Sequence, residues 1–372
     1  MLGSVSAILP SQRAKTVRDA TERSRTGSPA PAPPEDEVLF QPGKLDPDFL
    51  AELLGEAPVS DPRVHIRPAV GEDVCAIRMD GRYLVAKTDP ITFATDRIGW
   101  YVVQVNANDL ATAGARPKWF LVTALLPEEG TDEDLVREIW GDLRRALEGL
   151  DCSLCGGHTE ITVGLDRPIL VGQMLGEVAA DRLVDKQQAR PGDRILLTKG
   201  VPVEGTSVIA REKGEMLEEA FSESEVESAR NYLEDPGISV VAEAMAACEA
   251  GGVHAMHDPT EGGVSTGLWE LGEATGLGLR VEAERIPLLE PGTAFCRHLG
   301  LDPLGVISSG TLLLCVDPEK AREVTEAVEG QGVLCVDVGE MRGEGQPAVL
   351  VREGEEGPMP VYHRDEIARL WN

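Results

Sequence analysis

Residues 102–114 constrain the fold most, because they predict a helix built almost entirely from small side chains. Gly114 and Pro117 predict where this helix ends. Small side chains let another backbone or a ligand approach closely. Asn106 and Asp109 are three residues apart, so they share one helix face inside a stripe that otherwise looks buried. Two interpretations stay open on this segment alone: a packed helix with internal polar bonds, or a binding site that offers hard oxygen ligands.

Composition excludes several classes of partner. The 372 residues suffice for two domains, since single cores stop growing near ~250–300 residues. A formal charge of −29 argues against nucleic acid and against an anionic membrane surface, both of which need a basic footprint. No stretch approaches the ~18 apolar residues of a membrane span. Seven scattered cysteines do not form a secreted disulfide framework, so we expect a reducing cytoplasm.

The order of predicted elements indicates an α+β protein of two domains. Residues 1–36, rich in Ser, Ala, Pro and Arg, are expected to be a disordered tail. We predict an N-terminal domain over 37–180 and a C-terminal domain over 181–372, with a boundary signal at Arg190-Pro-Gly-Asp-Arg. The pattern predicts strands at 82–87, 119–126, 153–156, 168–177, 195–198, 278–283 and 311–316, and helices at 98–114, 132–150 (capped by Thr131), 203–214, 222–233, 236–250, 264–276 and 318–329.

Four aspartates stand beside glycines or prolines where predicted strands and helices begin or end: Asp73, Asp89, Asp109 and Asp258. Any one of them fits an ordinary turn. Together they offer the hard oxygen ligands that Mg²⁺ takes when it bridges phosphates. The chain has no G-x-x-x-x-G-K-[ST] and no G-x-G-x-x-G after a strand, so a nucleotide site here is neither a P-loop nor a Rossmann site.

Two glycine pairs extend this pattern. Gly156 and Gly157 begin the run Gly-Gly-His-Thr-Glu, and Gly262 and Gly263 end the run 257–263. Glycines let backbone N–H groups come close to phosphate oxygens. Two alternatives are weaker: Cys152 and Cys155 as a redox pair, and His254 with His257 as zinc ligands, rather than a strand end that delivers Asp258.

The ordered set of segments resembles the aminoimidazole ribonucleotide (AIR) synthase superfamily, which includes the hydrogenase-maturation protein HypE, thiamine-monophosphate kinase and selenophosphate synthetase. The resemblance covers residues 42–351 and is closest to HypE and to AIR synthase related proteins. Six segments carry it: Gly71-Glu-Asp, Thr88-Asp-Pro, 106–117, Gly156-Gly-His-Thr-Glu, Gly192-Asp-Arg-Ile-Leu-Leu-Thr-Lys-Gly and Asp258-Pro-Thr-Glu-Gly-Gly.

The resemblance implies a homodimer whose N-terminal sheets join into a β-barrel, with ATP in a groove between domains. It implies transfer of the γ-phosphate to a small acceptor, often an amide-type carbonyl. It also assigns residues. The metal ligands would be Asp73, Asp89, Asp109 and Asp258, with Glu160 in place of an acid where this chain has His158; the ATP-binding residues would be Asn106, Gly156, Gly157, Thr159, Gly262 and Gly263; the catalytic residues would be Asp109, Asp258 and Lys44.

Departures from the family pattern leave two functions open. HypE commonly has Arg where Glu261 stands, and it ends in a cysteine, whereas the last cysteine here is Cys335. We therefore do not expect a cyanide carrier on a C-terminal tail. The leading hypothesis is an ATP- and Mg²⁺-dependent phosphoryl-transfer enzyme with an unidentified small-molecule acceptor. The rival is a non-catalytic ATP-binding factor that works with a maturation-protein partner, for example on hydrogenase.

Overall fold

The computed structural model describes residues 45–92 and 96–371. The strands of this part of the chain are β1 (Val64–Ile66), β2 (Cys75–Met79), β3 (Arg82–Ile91), β4 (Arg116–Pro127), β5 (Ser153–Thr162), β6 (Ile169–Ala179), β7 (Arg194–Thr198), β8 (Val253–His257), β9 (Leu277–Glu282), β10 (Leu313–Val316), β11 (Cys335–Glu344), β12 (Ala348–Arg352) and β13 (Glu355–Pro358). The predicted tail at 1–36 and Lys44 lie outside the described residues.

The α-helices are α1 (Pro47–Gly55), α2 (Ile98–Thr112), α3 (Glu133–Gly149), α4 (Glu204–Glu212), α5 (Gly214–Leu217), α6 (Glu223–Arg230), α7 (Val241–Ala250), α8 (Gly263–Thr275), α9 (Gly292–Leu299) and α10 (Ala321–Glu329). Short 3-10 turns include Lys186–Gln188 and Glu366–Trp371. Within the described residues, no helix has both the length and the hydropathy needed to cross a bilayer.

The strands form two sheets, which confirms the α+β architecture. The first sheet has six strands in the order β1-β2-β3-β6-β4-β5, antiparallel except for the parallel pair β4 and β5. The second has seven strands in the order β13-β12-β9-β11-β7-β10-β8, antiparallel except for β9 and β12. Strand β3 continues to Ile91, four residues beyond the predicted end, so Asp89 lies within the strand.

Helix α2 is buried on nearly every side, as its small residues predict. Thirteen of its 15 residues are buried, and it packs against the first sheet, against α3 and against α7. A helix surrounded by protein needs no polar face, and small side chains keep its neighbours close. It ends at Thr112, and Gly114 follows with φ +72°, the left-handed conformation that favours glycine after a helix.

Helix α3 covers the outside of α2 with an amphipathic surface. Its cap is Asp132, whose side chain accepts a hydrogen bond from the Leu135 amide at 2.9 Å. The expectation of Thr131 as the cap is wrong by one residue. The Thr131 hydroxyl instead donates to the Pro127 carbonyl at the end of β4, at 2.7 Å.

A buried asparagine joins α2 to the chain before α7. The Asn108 amide donates to the Ile238 carbonyl at 2.8 Å, and its oxygen accepts from the Val240 amide at 2.9 Å. Because these bonds hold residues 238–240 along α2, the helix predicted at 236–250 begins only at Val241. One apolar core then continues from the first sheet through α2 and α7 to one face of the second sheet.

Candidate active site

The loop before β2 brings Asp73 to the end of β8, so the site is built from both sheets. Asp73 Oδ2 lies 2.7 Å from Lys186 Nζ and 3.3 Å from His257 Nδ1. Lys186 also donates to the Gly71 carbonyl at 2.7 Å, which fixes the loop. Within residues 45–92 and 96–371, the one group of three potential metal ligands with atoms within 4.8 Å of one another is Asp73, His257 and Asp258.

His257 lies between two carboxylates, which favours its protonated form. Its Nε2 lies 3.1 Å from Glu270 Oε2 on α8, so both ring nitrogens face carboxylates. Burial and Lys186 act to lower the pKa of His257, but Asp73 and Glu270 outweigh them and raise it to about 9. A doubly protonated ring has no lone pair for a metal. His257 therefore positions Asp73, and the carboxylates of Asp73 and Asp258 are the candidate metal ligands of this group.

The β3–α2 side of the site carries Lys87, Asp89 and Asp109. Lys87 Nζ lies 3.0 Å from Asp109 Oδ2 and 3.8 Å from Asp89 Oδ2. Asp109 and Asp258 are 5% and 3% exposed, and Asp258 Oδ2, unlike Asp109 Oδ2 beside Lys87, has no hydrogen-bond partner. Buried carboxylate oxygens without a hydrogen bond are costly unless a ligand completes them.

The acidic groups of the site outnumber the cations beside them, and the pKa values of two aspartates are raised as a result. Burial and the charge of Asp73 raise the pKa of Asp258 to about 7. Burial raises the pKa of Asp109 well above its ordinary value, against the opposing effect of Lys87. Burial also acts to raise the pKa of Asp73, but Lys186 and His257 hold it well below its ordinary value. The site is therefore short of positive charge at Asp109 and Asp258.

Asn106 lies beside Asp89 and is fixed by the backbone. Its amide nitrogen donates to the Val102 carbonyl at 2.8 Å and to the Asp89 carbonyl at 3.3 Å, and its buried Oδ1 has no partner. Gly172 on β6 makes room for it, because a Cβ there would overlap the Asn106 amide. Sequence patterns did not single out Gly172, whose importance depends on the pairing of β6 with β3.

The structure places the Gly-Gly-His-Thr-Glu run away from the aspartates of its own chain. Gly156, Gly157, Thr159 and Glu160 all lie exposed on β5, the edge strand of the first sheet. Three strand spacings, about 14 Å, separate β5 from β3. Gly157 has a packing reason as well, since a Cβ there would overlap the backbone of Val122 on β4. Roles for these four residues in metal or ATP binding stay predictions.

The amides of the second glycine pair are already bonded within the chain. Gly262 N donates to Asp365 Oδ2 at 2.7 Å, and Gly263 N donates to the Thr260 carbonyl at 3.1 Å. Both glycines have positive φ, and a Cβ on Gly263 would overlap the carbonyls of Leu304 and Val306. Their observed partners are protein groups, and phosphate binding by them stays a prediction.

Sequence reasoning missed two lysines, Lys87 and Lys186. The alternation of β3 could have indicated Lys87. Alternate residues of a strand share one face, so Lys87 lies on the same face as the buried Val85 and as Asp89. No such pattern could have indicated Lys186, because only the folded chain brings it to Asp73, 113 residues earlier.

The two histidines of the H-x-x-H segment have separate partners. His254 Nδ1 lies 2.9 Å from Asp193 Oδ2, whereas His257 faces Asp73 and Glu270. Side chains three apart on a strand point to opposite faces. The pair therefore does not form one ligand set, and β8 delivers Asp258 to the site.

Comparison with known proteins identifies the family. The models "AIR synthase related protein, N-terminal domain" and "AIR synthase related protein, C-terminal domain" match residues 71–178 and 190–352. The chain is 31% identical to the carbamoyl dehydratase HypE of Cupriavidus necator over 291 residues, which span 76% of this chain and 80% of that protein. The chain belongs to the AIR synthase related family. HypE of Rhodobacter capsulatus is 30% identical over 70% of this chain and 76% of its own length.

Solved structures show that the family fold is present. HypE in complex with ATP aligns with a TM-score of 0.65 at 22% identity, over 82% of this chain and 90% of that one. HypE in a HypE–HypF complex aligns with a TM-score of 0.68 at 19% identity, over 84% of this chain and 99% of that one. The thiamine-monophosphate kinase AaThiL, complexed with AMPPCP and TMP, aligns with a TM-score of 0.64 at 19% identity, over 83% of this chain and 93% of that one. The predicted AIR-synthase-like fold is confirmed.

Proposed function

We propose that this AIR synthase related protein is a magnesium-dependent enzyme that binds ATP and transfers its γ-phosphate to a small acceptor. One observation carries the proposal: the buried Asp258 Oδ2 has no hydrogen bond and lies in a site where Lys87 already pairs with Asp109 and Lys186 with Asp73. The names of the relatives, carbamoyl dehydratases and a kinase, support the reaction class.

The donor set fits Mg²⁺. Carboxylate oxygens from Asp73, Asp109 and Asp258, with Asp89 beside them, are hard ligands, and few of them are needed because this ion keeps several waters. Bound there, Mg²⁺ would neutralise charge on the phosphate oxygens. We assign Asn106 Oδ1 to a metal-bound water or a ribose hydroxyl rather than to a phosphate oxygen, since it is an acceptor.

The chain's own cations complete the assignment. Lys87 and Lys186 supply positive charge for the phosphate oxygens, and His257 orients Asp73 through a hydrogen bond. Because no group at the site is placed as a general base, catalysis rests on positioning and charge neutralisation. The acceptor is a small molecule, and an amide or carbonyl oxygen is the class that the carbamoyl dehydratases suggest.

We also propose a homodimer joined at β5. Among the described strands, β5 forms one end of the first sheet and is exposed along its length. Leu154, Ile161 and Val163 on and beside it are 45%, 61% and 74% exposed. A long apolar edge strand is a template for pairing with another strand. All seven cysteines are free thiols, which suits the reducing cytoplasm that we propose for the protein.

The test uses Asp109→Asn, with the exposed Asp134→Asn on α3 as its control. Wild type is expected to bind Mg·ATP in calorimetry and to form ADP when candidate amides are supplied. Asp109→Asn should weaken Mg·ATP binding at least 10-fold, because an amide removes the metal's carboxylate, and Asp134→Asn should not. Wild type that binds no Mg·ATP would overturn the proposal.

The rival function is a non-catalytic, ATP-binding maturation factor with a protein partner. The structural likeness to HypE in a HypE–HypF complex favours it. The same experiment separates the two functions. If wild type binds Mg·ATP and Asp109→Asn does not, yet no acceptor yields ADP, the rival replaces the enzyme.

A further inference from the structure

A buried lysine with a strained backbone follows strand β7. Lys199 has φ +57°, in the left-handed region that residues other than glycine rarely adopt. Its amide donates to the Leu334 carbonyl at 2.8 Å, just before β11, and this bond holds the conformation. Strained residues persist where their surroundings fix them, and they cluster at functional sites. The strain at Lys199 therefore points to a role for its side chain.

The Lys199 side chain uses all of its donors on other parts of the protein. Nζ donates to the Ser239 carbonyl at 2.5 Å and to the Gly237 carbonyl at 3.1 Å. It also lies 2.8 Å from Glu243 Oε1 in the first turn of α7. The side chains of Lys199 and Glu243 are 5% and 2% exposed. Because an ammonium group has three N–H donors, none is left for a ligand, and Lys199 acts on the protein itself.

Asn108 on α2 binds the same segment of chain. Its amide nitrogen donates to the Ile238 carbonyl at 2.8 Å, and its oxygen accepts from the Val240 amide at 2.9 Å. Lys199 binds residues 237 and 239, whereas Asn108 binds residues 238 and 240. Four consecutive residues are therefore shared alternately between the end of β7 and α2, and the segment 237–240 connects the two.

The turn before β10 limits the movement of this segment. Gly310 has φ +103°, and a Cβ there would lie 2.9 Å from Ile238 Cα and 3.0 Å from the Gly237 carbonyl oxygen. The neighbouring Thr311 hydroxyl donates to the Gly200 carbonyl at 2.8 Å, which ties the turn to the chain just after β7. The turn and the end of β7 therefore hold the segment 237–240 against the second sheet.

This connection bears on the distance between two aspartates of the candidate site. Asp109 is the residue after Asn108 on α2, and Asp258 follows β8. Strands β7 and β8 both pair with β10, so the same sheet carries Lys199 and Asp258. Because Asn108 and Lys199 bind one segment, they fix where α2 lies on this sheet, and with it the distance from Asp109 to Asp258.

We propose that Lys199 is a positioning residue: through the segment 237–240 and Asn108 it fixes the separation of Asp109 and Asp258, so that the site fits Mg²⁺ better than a larger ion. This rests on the proposed function, which places Mg²⁺ at these carboxylates. Mg²⁺ requires near-octahedral geometry with bonds of about 2.1 Å, whereas Ca²⁺ accepts flexible geometry at about 2.3–2.6 Å. A loosened α2 therefore weakens Mg²⁺ binding more than Ca²⁺ binding.

The first test compares ATP binding in Mg²⁺ and in Ca²⁺ by calorimetry. Lys199→Met keeps an unbranched side chain and removes the three donors. We expect it to weaken Mg·ATP binding about 10-fold or more and Ca·ATP binding less than about 3-fold. A role in stability alone would lower both affinities by the same factor. The control is Arg194→Met, at the other end of β7, which removes a cation paired with Asp337 and should bind as wild type does.

Hydrogen exchange adds a measurement that needs neither metal nor nucleotide. The amides of residues 106–112 on α2 should exchange faster in Lys199→Met than in wild type, whereas those of α8 should change less. Removing one partner of a buried ion pair is costly, so Lys199→Met together with Glu243→Leu is a second variant. It replaces both charges with apolar groups, and it should show the same change in the ratio of the two affinities.

Three results would overturn the inference: equal weakening for the two ions, unchanged Mg·ATP affinity in a folded variant, or equal changes of exchange in α2 and α8. Wild type that binds Mg·ATP while the variants keep its ratio of affinities contradicts this inference alone. Wild type that binds no Mg·ATP contradicts the proposed function, and this inference fails with it.

Discussion

At the scale of single residues, the site depends on what the neighbours of each polar group leave unsatisfied. Asp258 offers an oxygen without a hydrogen bond, Asp109 is paired with Lys87, and Asp73 is held by both Lys186 and His257. Four aspartates that look alike in the sequence therefore differ in the folded chain. The difference comes from burial and from the cations that happen to lie beside each carboxyl group.

Gly172→Ala tests how closely β6 must approach Asn106. The added Cβ would overlap the Asn106 amide, so we expect displacement of Asn106, a loss of about 1–3 kcal/mol in the free energy of unfolding and at least 10-fold weaker Mg·ATP binding. Urea unfolding and calorimetry measure the two effects. Gly141→Ala on α3, where a Cβ meets nothing within 4 Å, is the control and should be neutral or stabilising. Unchanged ATP affinity in Gly172→Ala would show that Asn106 has room to move.

Glu204→Gln should change how stability depends on pH. Burial raises the pKa of Glu204 from 4.5 to about 7, so the folded protein holds this proton more tightly than the unfolded chain. As the pH rises from 4.5 to 7, the free energy of unfolding must therefore decrease. Above pH 7 the total decrease is about 3 kcal/mol. Urea unfolding at pH 5 and 7.5 should show a smaller fall for Glu204→Gln than for wild type. An equal fall in the two proteins would refute this assignment, and Glu326→Gln serves as the matched control.

At the scale of elements, α2 has two polar roles on different faces. Asn106 and Asp109 face the candidate site, and Asn108 holds residues 238–240. The small residues between them let β3, β6 and α7 approach the helix. One short helix therefore positions ligands and ties the first sheet to the segment before α7.

Asn108→Ala should lower stability without entering the candidate site. It leaves the Ile238 carbonyl and the Val240 amide buried and unpaired, which costs about 2–4 kcal/mol in the free energy of unfolding. Urea unfolding measures this loss. Asn231→Ala, at an exposed position after α6, is the matched control and should stay within about 0.5 kcal/mol of wild type. A loss as small as that of the control would mean that another group replaces these hydrogen bonds.

At the scale of the whole molecule, the exposed edge strand is the feature most open to test. A chain of 39.9 kDa that pairs through β5 has twice that mass in solution. We expect Ile161→Asp to shift the mass measured by light scattering from dimer towards monomer, because a charge on an apolar interface is costly to bury. Leu334→Asp, 47% exposed and remote from β5 in sequence, should remain dimeric. Wild type that runs as a monomer would contradict the proposed homodimer.

Much of the architecture followed from periodicity and turn residues. The helices predicted at 98–114, 132–150 and 264–276 are present as α2, α3 and α8, with ends within two residues. Strands β1, β11, β12 and β13 and helices α1, α5 and α9 were not predicted. A predicted helix boundary was wrong where a tertiary hydrogen bond holds the backbone outside the helix. At the start of α7, the Val240 amide donates to Asn108 Oδ1.

Local sequence was enough to identify the residue types available for chemistry: small residues around Asn106 and Asp109, and acids beside glycines and prolines at the ends of elements. Spacing of three or four residues along a helix is local, so α2 could be predicted. Which polar groups meet depends on the folding of distant segments, because Lys186 and Asp73 come together across 113 residues, as do Asp365 and the Gly262 amide across 103. The tertiary structure also placed the Gly156–Glu160 run on the edge strand of the first sheet as described, three strand spacings away from β3. Partners distant in the chain leave no periodic signal, and burial then sets what each carboxyl group can bind.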